Sequence, residues 1–174
     1  AGVLLKMGTY GLLRISYPLL PGEVVNFSYI LAVLGVINII WGAVNAIAQI
    51  DLKKMVAYSS VSHMGYVLMG IATLDRIGVG GAVLQMFSHG IMTALFFAMV
   101  GVIYDRTHVR DIDVLGGLSK RMGVTASFFA VAGLASLGLP GLSGFVAEFL
   151  VFVGTFRTYL PLGVLAVIGA AITA

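Results

Sequence analysis

Residues 134–156 read LASLGLPGLSGFVAEFLVFVGTF. Two apolar runs, Val124–Gly138 and Ser143–Phe156, meet across a Gly-Leu-Pro-Gly turn. Each alone is short for a membrane crossing, which takes about 20 residues over a core of about 30 Å. Pro140 removes a backbone donor and clashes with the preceding turn, and Gly138, Gly141 and Gly144 loosen the helix further. The economical reading is one interrupted span; a hairpin of two short spans is the alternative. Interrupted helices are tolerated at membrane depth only where protein or a wet cavity satisfies the freed backbone groups. Glu148 follows the proline closely, inside SGFVAEFLVFVGTF. The turn therefore reads either as a plain proline kink or as a functional break beside an ion site, and the nearby carboxylate favours the second.

Composition sets the class. Hydrophobic residues make up 60% of the 174 and charged residues 10%, with a mean hydropathy of +1.07. Too little polar material remains to cover a water-soluble core, so the chain reads as an all-α, polytopic transmembrane bundle in a single domain, 1–174. A pI of 9.3 would suit a nucleic-acid partner, but the basic residues form no stripe, so none is expected. They follow membrane topology instead. Without cysteine there is no disulfide framework, thiolate metal site or iron–sulfur ligation. No phosphate loop or nucleotide fingerprint is present either; GVGG at 78–81 lacks a preceding strand.

The apolar runs place a first span ending near Tyr17, with Pro18 and Pro21 closing it, then spans at Phe27–Gln49, Leu52–Thr73 and Val79–Tyr104. A polar stretch, Asp105–Arg121, leads to the interrupted span, and a last helix starts near Leu160. That gives about six spans. Both ends fall inside apolar runs, so the sequence is expected to be a segment of a longer polytopic protein. Lys53, Lys54, Arg106, Arg110, Lys120 and Arg121 fall on one face, and Arg14, Arg76 and Arg157 on the other. The first face is expected to be cytoplasmic.

Of 10 Lys and Arg and 7 Asp and Glu, only Lys6 and Glu148 fall too deep in an apolar run to reach a membrane surface. Charged residues at that depth cost roughly 2.5–3.5 kcal/mol on insertion scales and usually mark ion or proton paths. The bland alternatives are a snorkelling lysine and a structural carboxylate tied to a neighbouring helix. His63 and His89 lie mid-span on consecutive helices, in SSVSHMGY and QMFSHGIM. Histidine switches most readily near neutral pH, so the two are candidate steps between Lys6 and Glu148, with Ser60, Ser62, Ser88 and Thr93 supplying hydroxyls. Satisfied packing histidines, or a pair clamping a haem, are the competing readings. Lys53 and Lys54 read as positive-inside anchors or as a proton entry or exit point. Asn38 and Asn45 are candidates for hydrogen bonds to a neighbouring helix.

The runs DLKKMVAYSSVSHMGYVLMGIA (51–72), LQMFSHGIMTALFFAMVGVIYDRTHVRDID (84–113) and LASLGLPGLSGFVAEFLVFVGTF (134–156), with LLKMGTYGLLR at 4–14, closely resemble the antiporter-like M-type chains of proton-pumping NADH–quinone oxidoreductase, respiratory complex I. The resemblance covers essentially the whole sequence and would correspond to roughly a third of a family member. It implies the antiporter-like fold, shared with multisubunit cation/proton antiporters and membrane-bound hydrogenases. It implies a mid-membrane proton relay in which Lys6 matches the central lysine, His63 and His89 the intervening histidines, and Glu148 the terminal carboxylate. The family's earlier lysine and its partner glutamate lie upstream of Ala1. Glutamate rather than lysine at 148 argues against the L-type chain.

By the same resemblance, this chain carries no cofactor of its own; NADH, FMN, iron–sulfur clusters and quinone belong to partner subunits. The expected partners are neighbouring membrane-arm chains and the lipid bilayer, in a bacterial cytoplasmic membrane. Quinone reduction elsewhere in the complex would shift charge along the arm and drive the Lys6 proton, by way of His63 and His89, toward Glu148. The alternative is a D-type chain of a cation/proton antiporter, without redox chemistry.

Overall fold

A computed structural model describes residues 2–173, and among these every regular element is helical. In chain order they are α1 (Leu4–Gly11), a π-helical turn (Leu12–Ser16), α2 (Tyr17–Leu19), α3 (Pro21–Ile47), α4 (Leu52–Ala72), α5 (Arg76–Thr107), α6 (Leu118–Arg121), α7 (Gly123–Ser136), α8 (Ser143–Thr158) and α9 (Leu160–Thr173). Pro21 opens α3 rather than closing the helix before it, because a missing N–H costs nothing in a first turn. The second span therefore begins six residues earlier than the apolar run predicts. Pro18, by contrast, sits inside the first helical stretch. The wide turn before it, in which the Tyr17 N–H reaches back to the Leu12 carbonyl, absorbs the proline ring.

Two helices, Pro21–Ile47 and Arg76–Thr107, are long and apolar enough to cross a membrane by themselves, while Gly123–Ser136 and Leu160–Ile172 are apolar but shorter. The distribution of polarity is inverted relative to a water-soluble protein. Trp41 (66%), Ile47 (67%) and Phe87 (65%) are exposed, whereas Gln85, His89 and Thr93 are each 1% exposed. An apolar exterior over a polar interior is what a hydrocarbon solvent selects.

Helix α4 lies between α3 and α5, α8 packs on α5 and α4, and α9 packs on α3 and α8. With lipid as apolar as leucine, close approach of backbones does the holding. A Cβ on Gly65 would meet the Gly35 carbonyl oxygen at 2.6 Å, so α3 and α4 cross at backbone contact. Around that crossing Ala32, Val36, Ile39, Tyr66, Met69 and Val151 form one buried cluster.

The arrangement of α7 and α8 decides between hairpin and interrupted span. Ala132 of α7 packs with Phe96, Val100 and Ile103 of α5, and Phe129 sits edge-on to Phe96. Ser143, at the start of α8, meets Ser88. Farther along, Ala147 and Val151 lie against Gly81. The two short helices thus follow each other end to end, antiparallel to α5, as one interrupted helix. The first half closes in a Schellman turn: the Gly138 N–H bonds the Ala135 carbonyl and the Leu139 N–H that of Leu134, with Gly138 left-handed at φ +62°.

Helix α5 runs three residues past Tyr104 and ends on His108, whose φ of +53° gives a left-handed cap. The polar stretch therefore starts later than its charges suggest. It is laced to the α3–α4 turn by Leu52 N–H to Arg110 O and Ile112 N–H to Ile50 O, both 2.9 Å. Arg110 also lies 3.8 Å from Asp51.

Candidate functional site

The buried polar cluster of the bundle is built from α1, α4, α5 and α8, with the last turn of α7. On α5, Gln85, His89 and Thr93 recur at every fourth position and so share one helix face. Helix α1 adds Lys6, α4 adds His63 and α8 adds Glu148. The four ionisable residues expected from the sequence are all here, and all are buried or nearly so: Lys6 is 8% exposed, His63 5% and His89 1%.

Lys6 Nζ is 2.6 Å from His89 Nδ1, and His89 Nε2 is 3.0 Å from Thr93 Oγ1. The contact permits transfer in either sense. With the proton on Lys6, the ammonium donates to Nδ1 and the ring donates from Nε2 to Thr93. With the proton on the ring, Nδ1–H donates to the amine. A second group forms around His63. Its Nδ1 is 3.3 Å from Glu148 Oε1 and its Nε2 is 3.1 Å from Ser136 Oγ. The two imidazoles lie side by side with ring centroids 5.1 Å apart and planes tilted by 45°. Axial histidines of a haem face each other across a macrocycle, whereas these rings lie directly against each other. No hydrogen bond joins the two rings, because each nitrogen already has a partner on another residue.

Glu148 reaches this place because of the break. A Cβ on Gly138 would meet Glu148 Oε2 at 2.8 Å, so glycine serves both the left-handed turn and the carboxylate's seat. The same break ends α7 at Ser136, whose hydroxyl meets His63. The interruption therefore brings two groups to the pocket, which a plain kink would not require.

Gln85 is the residue the sequence reading missed. Its Nε2 donates to Glu148 Oε1 at 3.2 Å and lies 3.5 Å from His63 Nδ1. Its Oε1, although buried, has no hydrogen-bond partner among the described residues. An uncharged amide draws no notice in an apolar run, but its spacing of one helical turn before His89 was the available signal. Ser136 was missed likewise. Of the four expected hydroxyls only Thr93 joins the ionisable chain. Ser60 bonds the Val56 carbonyl of its own helix, Ser62 bonds the Ile39 carbonyl across to α3, and Ser88 pairs with Ser143 at 2.7 Å. Asn45 donates to the Trp41 carbonyl within α3 rather than to a neighbour.

Lys53 and Lys54 stand exposed in the first turn of α4, their backbone N–H groups capped by Asp51. Ten residues separate Lys53 from His63, about 15 Å of helix. Between them a cavity of about 330 Å³, lined by Ile47, Met55, Ser59 and Phe96 among others, reaches His63 and Ser136.

Comparison with known proteins places this geometry. The model for the transmembrane family "NADH:quinone oxidoreductase/Mrp antiporter" matches residues 1–173. NAD(P)H-quinone oxidoreductase chain 4 1 of Synechococcus elongatus is 50% identical over 181 residues, covering 99% of this chain and 34% of its own length. Chain 4-3 of Nostoc sp. is 53% identical over 163 residues, covering 92% and 29%. Among solved structures, a chain of respiratory complex I from Thermus thermophilus superposes with a TM-score of 0.93 at 31% identity, covering 97% of this chain and 36% of that one. A chain of the Mrp complex from Dietzia sp. gives 0.90 at 25% identity, covering 97% and 32%. This chain spans about a third of the length of the curated relatives it matches.

Proposed function

Because the chain belongs to the NADH:quinone oxidoreductase/Mrp antiporter transmembrane family, we propose that it is the proton-conducting core of an M-type (chain 4) subunit of NAD(P)H–quinone oxidoreductase. The observation that carries this reading is the buried series Lys6–His89, His63–Glu148, assembled from four helices by contacts of 2.6 and 3.3 Å. An ammonium, two imidazoles and a carboxylate together inside an apolar bundle are costly to keep unless they move charge. The 50% identity to chain 4 over nearly the whole sequence supports the redox-driven complex as its setting.

In this reading the piece contributes about six spans, counting α7 and α8 as one. The order of the site is Lys6, His89, His63, Glu148. Charge displaced by quinone reduction elsewhere in the complex alters the balance between the Lys6 ammonium and the Glu148 carboxylate, and the proton moves between them through the two rings. Lys53 and Lys54, with the cavity above His63, mark the entry or exit at the cytoplasmic face. This chain needs no cofactor; NAD(P)H, flavin, iron–sulfur clusters and quinone are assigned to partner subunits, and neighbouring membrane-arm chains are its partners. The cyanobacterial relatives suit a bacterial membrane.

A second reading, a D-type chain of a cation/proton antiporter, draws on the likeness to the Mrp complex. It uses the same residues without a redox partner, and sodium-dependent exchange in the absence of NAD(P)H would reveal it. The deciding experiment is Glu148→Gln in the full-length protein, assayed in inverted native membranes. Loss of quinone turnover and proton uptake, with the complex assembled, supports the first reading; unchanged turnover and uptake refute it.

A further inference from the structure

We propose that Gln85 is a positioning residue that reads the protonation state of Glu148: its amide donates to the carboxylate and, turned end for end, accepts from the carboxylic acid. The inference rests on the relay reading above and goes beyond it.

Its basis is an asymmetry in hydrogen bonding. The Gln85 side chain is 1% exposed, and its Nε2 end is 3.2 Å from Glu148 Oε1. Its Oε1 end has no partner among the described residues. A buried acceptor left bare costs about 1–3 kcal/mol, and an apolar side chain of similar length would avoid that cost. The unused end gains a purpose in the other protonation state. An ionised carboxylate only accepts and calls for the N–H of the amide; a protonated carboxyl carries a donor and calls for the C=O. Leucine, methionine or a charged group of that length would satisfy at most one of these states. An amide satisfies both by a half-turn of its terminal torsion, with no change in backbone or charge.

The surroundings fit a local switch. The titratable groups facing Glu148 are His63 from α4 and, behind it, His89 from α5 with Lys6 from α1. Helices α7 and α9 contain no titratable residue, so nothing from those sides competes for the proton. Gln85 Nε2 is also 3.5 Å from His63 Nδ1, so a flip changes what His63 meets when Glu148 is loaded. In the ionised state His63 Nδ1 and the amide both address Oε1. In the protonated state the carboxyl O–H is committed to Gln85 Oε1 and is held off His63, which opposes immediate return of the proton. The relay supplies that proton, Gln85 keeps both its amide hydrogens, and no bond between heavy atoms changes.

The test uses infrared difference spectroscopy on the full complex, comparing acidic with alkaline pH. The carbonyl band of protonated Glu148 is the one that Glu148→Gln abolishes. In wild type, labelled with 13C-glutamine, a side-chain amide band is expected to change together with it and to vanish from the difference spectrum of Glu148→Gln. In Gln85→Met, which keeps length and loses both hydrogen-bonding ends, the Glu148 band shifts and its titration moves. Coupled turnover drops by about tenfold, as expected for one lost hydrogen bond to a charged group. A wild-type difference spectrum in which the Glu148 band appears without any glutamine amide change overturns the proposal, whether or not Gln85→Met assembles. An unaltered Glu148 band in an assembled Gln85→Met complex overturns it as well. The spectroscopic readout is independent of turnover, so it separates failure of this idea from failure of the relay, which Glu148→Gln reports.

Discussion

Gly138→Ala is the sharpest perturbation the structure offers, because it acts on Glu148 without touching an ionisable group. Gly138 has φ +62°, where an alanine costs about 1–2 kcal/mol. The new Cβ would stand 2.8 Å from Glu148 Oε2, and ordinary contact begins at 3.4 Å, so the carboxylate withdraws by about 0.6 Å. Its other oxygen holds Gln85 at 3.2 Å and His63 at 3.3 Å. A displacement of that size is large enough to take either contact beyond hydrogen-bonding range. Misplacement by about 1 Å costs up to about 100-fold in reactions that depend on alignment, so turnover per assembled complex should fall about tenfold or more. Gly141→Ala is the internal control. Its φ of +102° imposes strain of the same kind, yet a Cβ there meets nothing within 4 Å. The assay is coupled proton uptake in native membranes, normalised to assembled complex. Both variants should assemble less well, and only Gly138→Ala should lose turnover beyond that. Equal turnover per complex in the two variants would refute the claim that this glycine seats the carboxylate.

Lys6→Met should abolish proton uptake while leaving His89 Nδ1 without its 2.6 Å partner; the bare acceptor costs about 1–3 kcal/mol, read as reduced assembly on native gels. Asp51→Ala removes the oxygen that accepts from the Lys53 and Lys54 N–H groups. It should lower stability by about 1 kcal/mol, measured by thermal melting, with turnover per complex unchanged. The exposed Arg110 contact that goes with it adds little.

Legibility in the sequence tracked the physical contrast between a residue and its surroundings. Lys6 and Glu148 were readable because charge inside an apolar run has few explanations. The histidines were readable because they recur at matching depth. The interrupted span was readable from Pro140 and its glycines. Gln85 and Ser136 were not, because neutral polar side chains occur throughout membrane helices, and only the fold shows which face the pocket. Ser60 and Ser62 illustrate the converse. They lie beside His63 in the sequence, yet their hydroxyls are spent on backbone carbonyls. The start of α3 was misjudged for a different reason: Pro21 satisfies the rules for a helix end and for a first turn alike, and only packing decides.

The two hydrogen-bonded groups, Lys6–His89–Thr93 and Ser136–His63–Glu148, meet through tilted imidazole rings but are not bonded to each other. A wire bonded from end to end would equilibrate protons whether or not the redox reaction ran. In the proposed relay, passage from His89 to His63 would require a ring nitrogen to give up its present partner. On the Lys6 side that partner is an amine whose hold depends on its own charge. On the Glu148 side His63 and Gln85 address the same carboxylate oxygen, so in the proposed switch loading Glu148 would free His63 Nδ1. Each half thus changes its willingness to connect when its own charge changes. In the relay proposed above, a proton would cross the gap only when both halves have been prepared, which is the condition that separates a pump from a leak.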